Sequence, residues 1–226
     1  MTPLKIFVGY DPREAVAFHV CVNSIIRHAS VPVSIHPLAL NTLPFYAEKH
    51  TDGSNAFIYS RFLVPYLCGF KGSALFLDGD MIIKDDVAKL FAMLRIDADV
   101  AVVKHDYETK HPVKYFGQKN ENYPRKQWSS VVLWNCANYP NRVLTPEYVA
   151  EHTGAHLHRF AWLEDWRIQA LPAEWNHLVD EQPHNDEAKL LHFTLALPAI
   201  TAYEDCDHST EWWTEFHRTV HVDETR

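Results

Sequence analysis

The 226 residues are 47% hydrophobic and carry a formal net charge of -8. That is enough apolar chain to bury a full core in one large domain, and the wrong sign for coating nucleic acid or anionic lipid. No apolar run is long enough to span a bilayer, and the opening MTPLKIFVGYDP lacks a secretion signal's charged region and cleavage site, so a cytoplasmic location is expected. The first element is LKIFVGY, a short continuous apolar run that predicts a buried strand. After it Asp11 and Pro12 signal a helix start, and Ala15, Val16, Val22, Ile25, Ile26 and Ala29 recur at helical spacing. VSIHPLAL reads as a second strand, SRFLVPYLCGF as a helix interrupted near Pro65, and SALFLD as a third strand.

This alternation predicts an α/β chain with a mainly parallel sheet flanked by helices, in which ligands bind beyond the carboxyl ends of the strands. Asp11 and Asp78 both fall at such ends. A helix at 85–94 and a strand at 99–105 follow, and then a polar segment, 106–126, rich in Tyr, Lys and Asn and without periodicity. That segment is a long loop of the kind that often carries function. SSVVLWN is another strand, 145–152 a helix, and the remainder holds a Trp-rich stretch, AWLEDWRIQALPAEWNHL, and the run KLLHFTLALP. No repeat, linker or boundary divides the chain, so one domain is expected. The four cysteines are widely spaced and read as reduced core residues, and the 15 histidines scatter, most of them surface or satisfied core residues.

Two readings compete for FLDGD. Asp-Gly between apolar runs is a strong hairpin signal, because both central positions tolerate positive φ. Alternatively, Asp78 and Asp80, two apart in extended chain, point to the same side and share one divalent cation. The flanks favour the second, since ALFL and MII are continuous rather than alternating, as in strands buried on both faces.

The order of Tyr10-Asp11, Ser60-Arg61, FLDGD, WSSVVLWN, the acidic pair in WLEDW and HFT resembles the GT-A fold glycosyltransferases. Within them it resembles the family 8 type that includes glycogenin and bacterial lipopolysaccharide galactosyltransferases. The resemblance spans roughly residues 4 to 200. It implies transfer of a sugar from a nucleotide sugar, most simply a UDP-sugar, to an acceptor, with retention of configuration and a manganese or magnesium cofactor. It makes Asp78, Asp80 and His192 the metal ligands, with Asp78 also near the ribose. Tyr10 and Asp11 fall at the uracil ring and Arg61 at the diphosphate, while Ser129, Ser130 and Asn135 lie on the strand that contacts the donor sugar. Glu164 and Asp165 stand near the reacting carbon as the candidate catalytic pair. A nucleotide-binding part (about 1–105) and an acceptor or closing part (about 106–226) would share the single domain.

Bland alternatives stand beside these roles. Asp11 can serve only as a helix cap, His192 as a core histidine, and the acidic pair as a helix N-terminus. The chain also departs from the family. Trp166 follows the acidic pair where glutamine is usual, and HFTLALP has Leu195 in place of a glycine and lacks the lysine that helps hold the diphosphate, unless Lys189 or Arg61 substitutes. A nucleotide-sugar-binding protein that has lost catalysis is therefore the second reading. A nucleotidyltransferase is the third, although VGYDPREAV is not the Gly-rich basic loop it usually carries.

Overall fold

The structure is a computed structural model that describes residues 2–114 and 117–222. Strand β1 (Leu4–Tyr10) leads through a single 3-10 turn into helix α1 (Ala15–His28). The entry forms as its residues dictate. Asp11 stays extended and accepts a hydrogen bond from the Arg13 backbone N–H, and Pro12 occupies a first-turn position where no donor is needed. Then come β2 (Val33–Ala39), the short helix α2 (Val64–Leu67) preceded by a 3-10 turn over Ser60–Leu63, β3 (Ser73–Leu77) and β4 (Met81–Ile83). Helix α3 (Val87–Ala92) is capped by the Asp86 side chain and followed by β5 (Val100–Val102) and β6 (Val131–Asn135). The C-terminal third holds α4 (Pro146–Glu151), α5 (Gly154–His158), β7 (Ile168–Ala170), β8 (His177–Leu178), β9 (Leu190–His192) and α6 (Ser209–Val220).

Among the described residues the main sheet has six strands in the order β2-β1-β3-β6-β5-β7. The pairings make five of them parallel to one another, with β6 alone reversed. Strands β1, β3, β5 and β6 are buried on both faces through most of their length, as their apolar sequences require, while the edge strands β2 and β7 are partly exposed. Ile6, Val8, Leu75, Leu77 and Leu133 pack with Phe18, Cys21 and Ile25 of α1 on one face. Phe7, Phe76, Val132 and Trp134 pack with Phe62 and Phe160 on the other. The second sheet, β4-β9-β8, has three strands of two or three residues, too short to impose a pattern on the sequence.

The hairpin reading of FLDGD fails here. β3 pairs with β1 and β6, whereas β4 pairs with β9 in the other sheet. Gly79 is not among the residues with positive φ. It is glycine for a different reason: a Cβ on it would lie 2.5 Å from the Gly9 carbonyl oxygen, backbone against backbone. The chain crosses between sheets at the end of β3 by pressing against the end of β1, and this crossing exposes Asp78 and Asp80 to one cleft.

Candidate active site and metal centre

Because β1 and β3 are parallel, Asp11 and Asp78 emerge at the same edge of the main sheet, and the reversed β6 delivers its preceding residues, Ser129 and Ser130, to that edge too. The Asp78 backbone N–H donates to the Ser130 carbonyl at 3.1 Å. From the small sheet, His192 at the end of β9 meets them. Asp78, Asp80 and His192 each offer one ligand atom, and these atoms lie within 4.8 Å of one another. His192 Nε2 stands 3.3 Å from Asp80 Oδ1 and 3.8 Å from Asp78 Oδ2. On the opposite side of Asp78, Arg61 Nη1 approaches Oδ1 at 2.8 Å, itself fixed by donating to the Ser129 carbonyl while Nε donates to that of Ile58.

The electrostatics of this cluster call for more positive charge. Burial pushes the Asp78 carboxyl up, against the pull of Arg61, and the Asp80 charge adds to the rise. Asp80 is desolvated as well, but His192 and then Lys114 outweigh that and hold it below the usual carboxylate range. The Asp80 Oδ1 atom is buried, and His192 Nε2, at 3.3 Å, is the polar group that faces it. Two buried carboxylates and one imidazole, converging within 4.8 Å, make a donor set that fits a divalent cation such as manganese or magnesium.

The histidine is oriented for that task. Its Nδ1 lies 3.1 Å from Asn176 Oδ1. The Asn176 amide cannot be reversed without loss, because its Nδ2 donates to Ser130 Oγ at 2.9 Å while that hydroxyl donates to the Gln127 carbonyl. Nδ1 therefore carries a proton, and Nε2 is the nitrogen that faces the carboxylates and is left for a cation. Asn176 lies in the Trp-rich stretch and went unmarked in the sequence, where only its place in LPAEWN, just before a strand, sets it apart.

The cluster forms one wall of a cleft of about 530 Å³, its open mouth included. The other walls come from the 54–61 segment, from Ser129 and His158, and from the long loop through Lys114, Gln118 and Tyr123. Ser129 Oγ bonds His158 Nδ1 at 2.6 Å, and burial pushes that imidazole down to about 3, so it is neutral. Lys114 Nζ lies 3.3 Å from Thr194 Oγ1, two residues beyond His192, and Gln118 Nε2 donates to the Ser54 carbonyl. Lys114 and Gln118 thus tie the loop to two different walls of the cleft. Tyr115 and Phe116 of that loop lie outside the described residues.

Lys114 bears directly on the lysine missing from the C-terminal motif. Lys189, one proposed substitute, is not in the cleft: it pairs with Glu174 at 3.3 Å beside the Trp175 ring. Arg61, the other, is in place but already faces Asp78. Lys114 supplies a further cation from an unexpected direction, with burial lowering its affinity for its proton and the two aspartates opposing that.

Other sequence-marked residues are placed differently. Asp11 borders a narrow adjoining crevice with Gly9, Asn55, Phe57, Gly79 and Asp80. Its carboxylate is engaged by Arg13 at 2.6 Å and by the Ala56 N–H at 3.0 Å. Burial alone would raise it, but these partners hold it below the usual carboxylate range. Tyr10 packs edge-on against Phe18 and Ser130 lies beneath the cleft, so neither lines it. Asn135 is at the far end of β6, opposite Ser73 at the start of β3. Five residues of strand separate that register from Asp78, roughly 17 Å at about 3.4 Å per residue. The reversed direction of β6 is the cause. Glu164 and Asp165 are exposed on the turn before β7, where Asp165 pairs with Arg125, and they do not line the cleft.

No protein-family model matches the sequence. Among solved structures, the fold is similar to the apo WbbM bifunctional glycosyltransferase, with a TM-score of 0.68 and 17% identity over 97% of this chain and 50% of that one. It is also similar to the apo glycosyltransferase GlyE of Streptococcus pneumoniae TIGR4 (TM-score 0.63, 14% identity, 98% of this chain and 61% of that one). The galactosyltransferase LgtC in complex with donor and acceptor sugar analogs matches at a TM-score of 0.60 with 12% identity, over 98% of both chains. The chain thus spans half to three-fifths of WbbM and GlyE but nearly all of LgtC. These likenesses establish an α/β fold of the GT-A type, with a mainly parallel sheet flanked by helices. In sequence the chain is 39% identical over 222 residues to Protein CDI of Arabidopsis thaliana, an alignment covering 94% of this chain and 86% of that protein. With that identity over nearly its whole length, the chain belongs to the family of Protein CDI.

Proposed function

We propose that the chain is a metal-dependent glycosyltransferase of the family 8 type, which moves a sugar from a UDP-sugar to an acceptor with retention of configuration. The observation that carries this reading is the convergence of Asp78, Asp80 and His192, within 4.8 Å, at the strand edge of a GT-A fold. Asp78, Asp80 and His192 would hold the cation, with manganese favoured over magnesium by the imidazole. Bound there, a divalent cation supplies charge neutralisation to the departing diphosphate. The chain's own residues do the rest. Arg61 and Lys114 bring positive charge to the same cleft, where the oxygens of the leaving diphosphate would gain negative charge. Asn176 holds the His192 imidazole in one tautomer. Lys114 and Gln118, through Thr194 and Ser54, tie their loop to two walls of the cleft and would help keep water from an activated donor.

A panel of nucleotide sugars, tested for binding and slow hydrolysis with and without manganese, tests this. UDP-sugars are expected to bind and turn over only with the metal. Equal affinity in chelator and in manganese would overturn the metal role, and no binding of any nucleotide sugar would overturn the class. A second reading, a nucleotide-sugar-binding protein without transferase activity, is favoured by the exposed position of Glu164 and Asp165 outside the cleft. It predicts metal-dependent binding with no turnover of any donor.

A further inference from the structure

A second group of metal-ligating side chains lies where β8 meets the N-terminus of α6. His177, Asp207 and His208 each offer one ligand atom, and those atoms fall within 4.8 Å of one another. Both histidines are 4% exposed, and the Nε2 atom of each is buried without a hydrogen-bond partner. Buried polar atoms are rarely left so, and two of them on histidines grouped with one carboxylate mark a ligand site.

The surroundings prepare these atoms for a cation. His208 Nδ1 lies 2.8 Å from Glu211 Oε1, so that nitrogen carries the proton and Nε2 presents its lone pair. This is the carboxylate–histidine arrangement that orients metal-bound imidazoles. Asp207 Oδ1 is taken by His184 Nδ1 at 2.7 Å and by the His208 N–H at 3.0 Å, which leaves Oδ2, 3.6 Å from His208 Nε2. The Asp207 backbone is itself tied to Asp180 Oδ1. The His184 ring stacks on that of His208 with centroids 4.4 Å apart. Each of the three ligands thus has its other polar atom or its backbone fixed by the sheet or by a neighbour.

This group is separate from the cleft. In the small sheet His177 registers with Leu191 and Leu178 with His192, and successive strand residues face opposite sides. His177 and His192 therefore project from opposite faces of the same three strands. We propose that His177, Asp207 and His208 form a second metal site, selective for zinc, that fastens the start of α6 to β8. Two imidazoles and one carboxylate are a zinc donor set, with a fourth position left for water. A site of two buried nitrogens suits magnesium or calcium poorly.

The test uses the full chain carrying Asp80→Asn, which weakens the other centre, stripped with chelator and titrated with zinc by calorimetry. Cobalt(II) serves as a spectroscopic probe of coordination. One equivalent of zinc is expected to bind, to raise the melting temperature, and to be replaced by cobalt with the visible absorption of a four-coordinate site. In that background Asp207→Asn and His177→Gln should each weaken zinc binding by more than about tenfold, and Glu211→Gln by about ten- to a hundredfold. Asp207 is partly exposed, so its variant keeps the test open if His177→Gln fails to fold. Failure of the Asp80→Asn chain to take up zinc would overturn the proposal, as would zinc affinity unchanged by Asp207→Asn.

Discussion

His192 Nδ1 donates to Asn176 Oδ1 across 3.1 Å, and the two residues come from segments sixteen positions apart that meet in the small sheet. Asn176 is fully buried and its amide is spent on His192 and Ser130, so it touches the candidate metal centre only through the histidine. Asn176→Ala is expected to lower manganese affinity by about ten- to a hundredfold. Asn176→Asp keeps the acceptor for Nδ1 and should retain more of the affinity than alanine. Calorimetry with manganese alone checks both, and equal affinity in the two variants would show that the amide only fills space.

Lys114 tests which cation replaces the missing C-terminal lysine. Hydrogen bonds to charged groups contribute about 1.5–3 kcal/mol, so Lys114→Ala is expected to weaken UDP binding in manganese by roughly ten- to a hundredfold. Lys189→Ala should leave it unchanged, because Lys189 pairs with Glu174 away from the cleft. The reverse ranking would return the role to Lys189.

Much of this was readable in the sequence because it depends on chain order and strand burial. The continuous apolar runs before Asp11 and Asp78 predicted parallel strands ending at one rim, and the structure has them there. Other features depend on strand direction or on short elements, which leave no periodic trace. Nothing in SSVVLWN says that β6 runs backwards, yet that reversal brings Ser129 to the rim and carries Asn135 away from it. Strands β4, β8 and β9 have two or three residues each, so neither the small sheet nor the meeting of Asn176 with His192 could be read from alternation. Lys114 sits in an aperiodic loop whose path is set by the side chains it meets, Thr194 among them.

Gly79 carries a prediction about the crossing between the sheets. A Cβ there would meet the Gly9 carbonyl oxygen at 2.5 Å, and neither backbone can turn aside as a side chain would. Gly79→Ala is expected to destabilise the fold by about 1–3 kcal/mol, the usual range for overpacking, and to weaken metal binding by displacing Asp78 and Asp80. Thermal melting and manganese titration check the two effects. A variant with unchanged melting temperature and affinity would show that the contact is slack.

Asp11 gives a pH dependence whose sign follows from its partners. The Arg13 hydrogen bonds and the Ala56 N–H outweigh burial and hold its carboxyl below the usual range. A group depressed on folding contributes stability that is complete above its unfolded titration range and is lost as pH falls through its folded one. Asparagine caps as well as aspartate but removes the charge that faces Arg13, so Asp11→Asn should destabilise at neutral pH by about 1 kcal/mol or less, and the gap to wild type should close in acid. Urea unfolding across pH measures this, and a gap independent of pH would assign the loss to shape rather than charge.

The loop over the cleft yields the last prediction. Its stem is pinned by a buried polar network: Asn120 Nδ2 donates to Glu181 Oε1 at 2.9 Å and to the His111 carbonyl at 2.8 Å, and Lys126 Nζ donates to Asn120 Oδ1 at 2.6 Å. Burial pushes Lys126 down to about 8, so part of this anchor loses its charge in mildly alkaline solution. Farther along, Lys114 bonds Thr194 and Gln118 bonds Ser54, each a single side-chain contact to the rest of the cleft at a partly exposed position. With a firm stem and single outer contacts at Lys114 and Gln118, this loop is expected to open locally, at low free-energy cost, while the rest of the fold stays closed. Limited proteolysis within residues 106–126 should be slowed several-fold by UDP with manganese, because ligand charge adds to the contacts of Lys114. Gln118→Ala should speed cleavage without ligand and leave the melting temperature unchanged. Cleavage at the same rate with and without UDP and manganese would mean that the loop is a fixed wall of the cleft, and that donor and acceptor enter from another side.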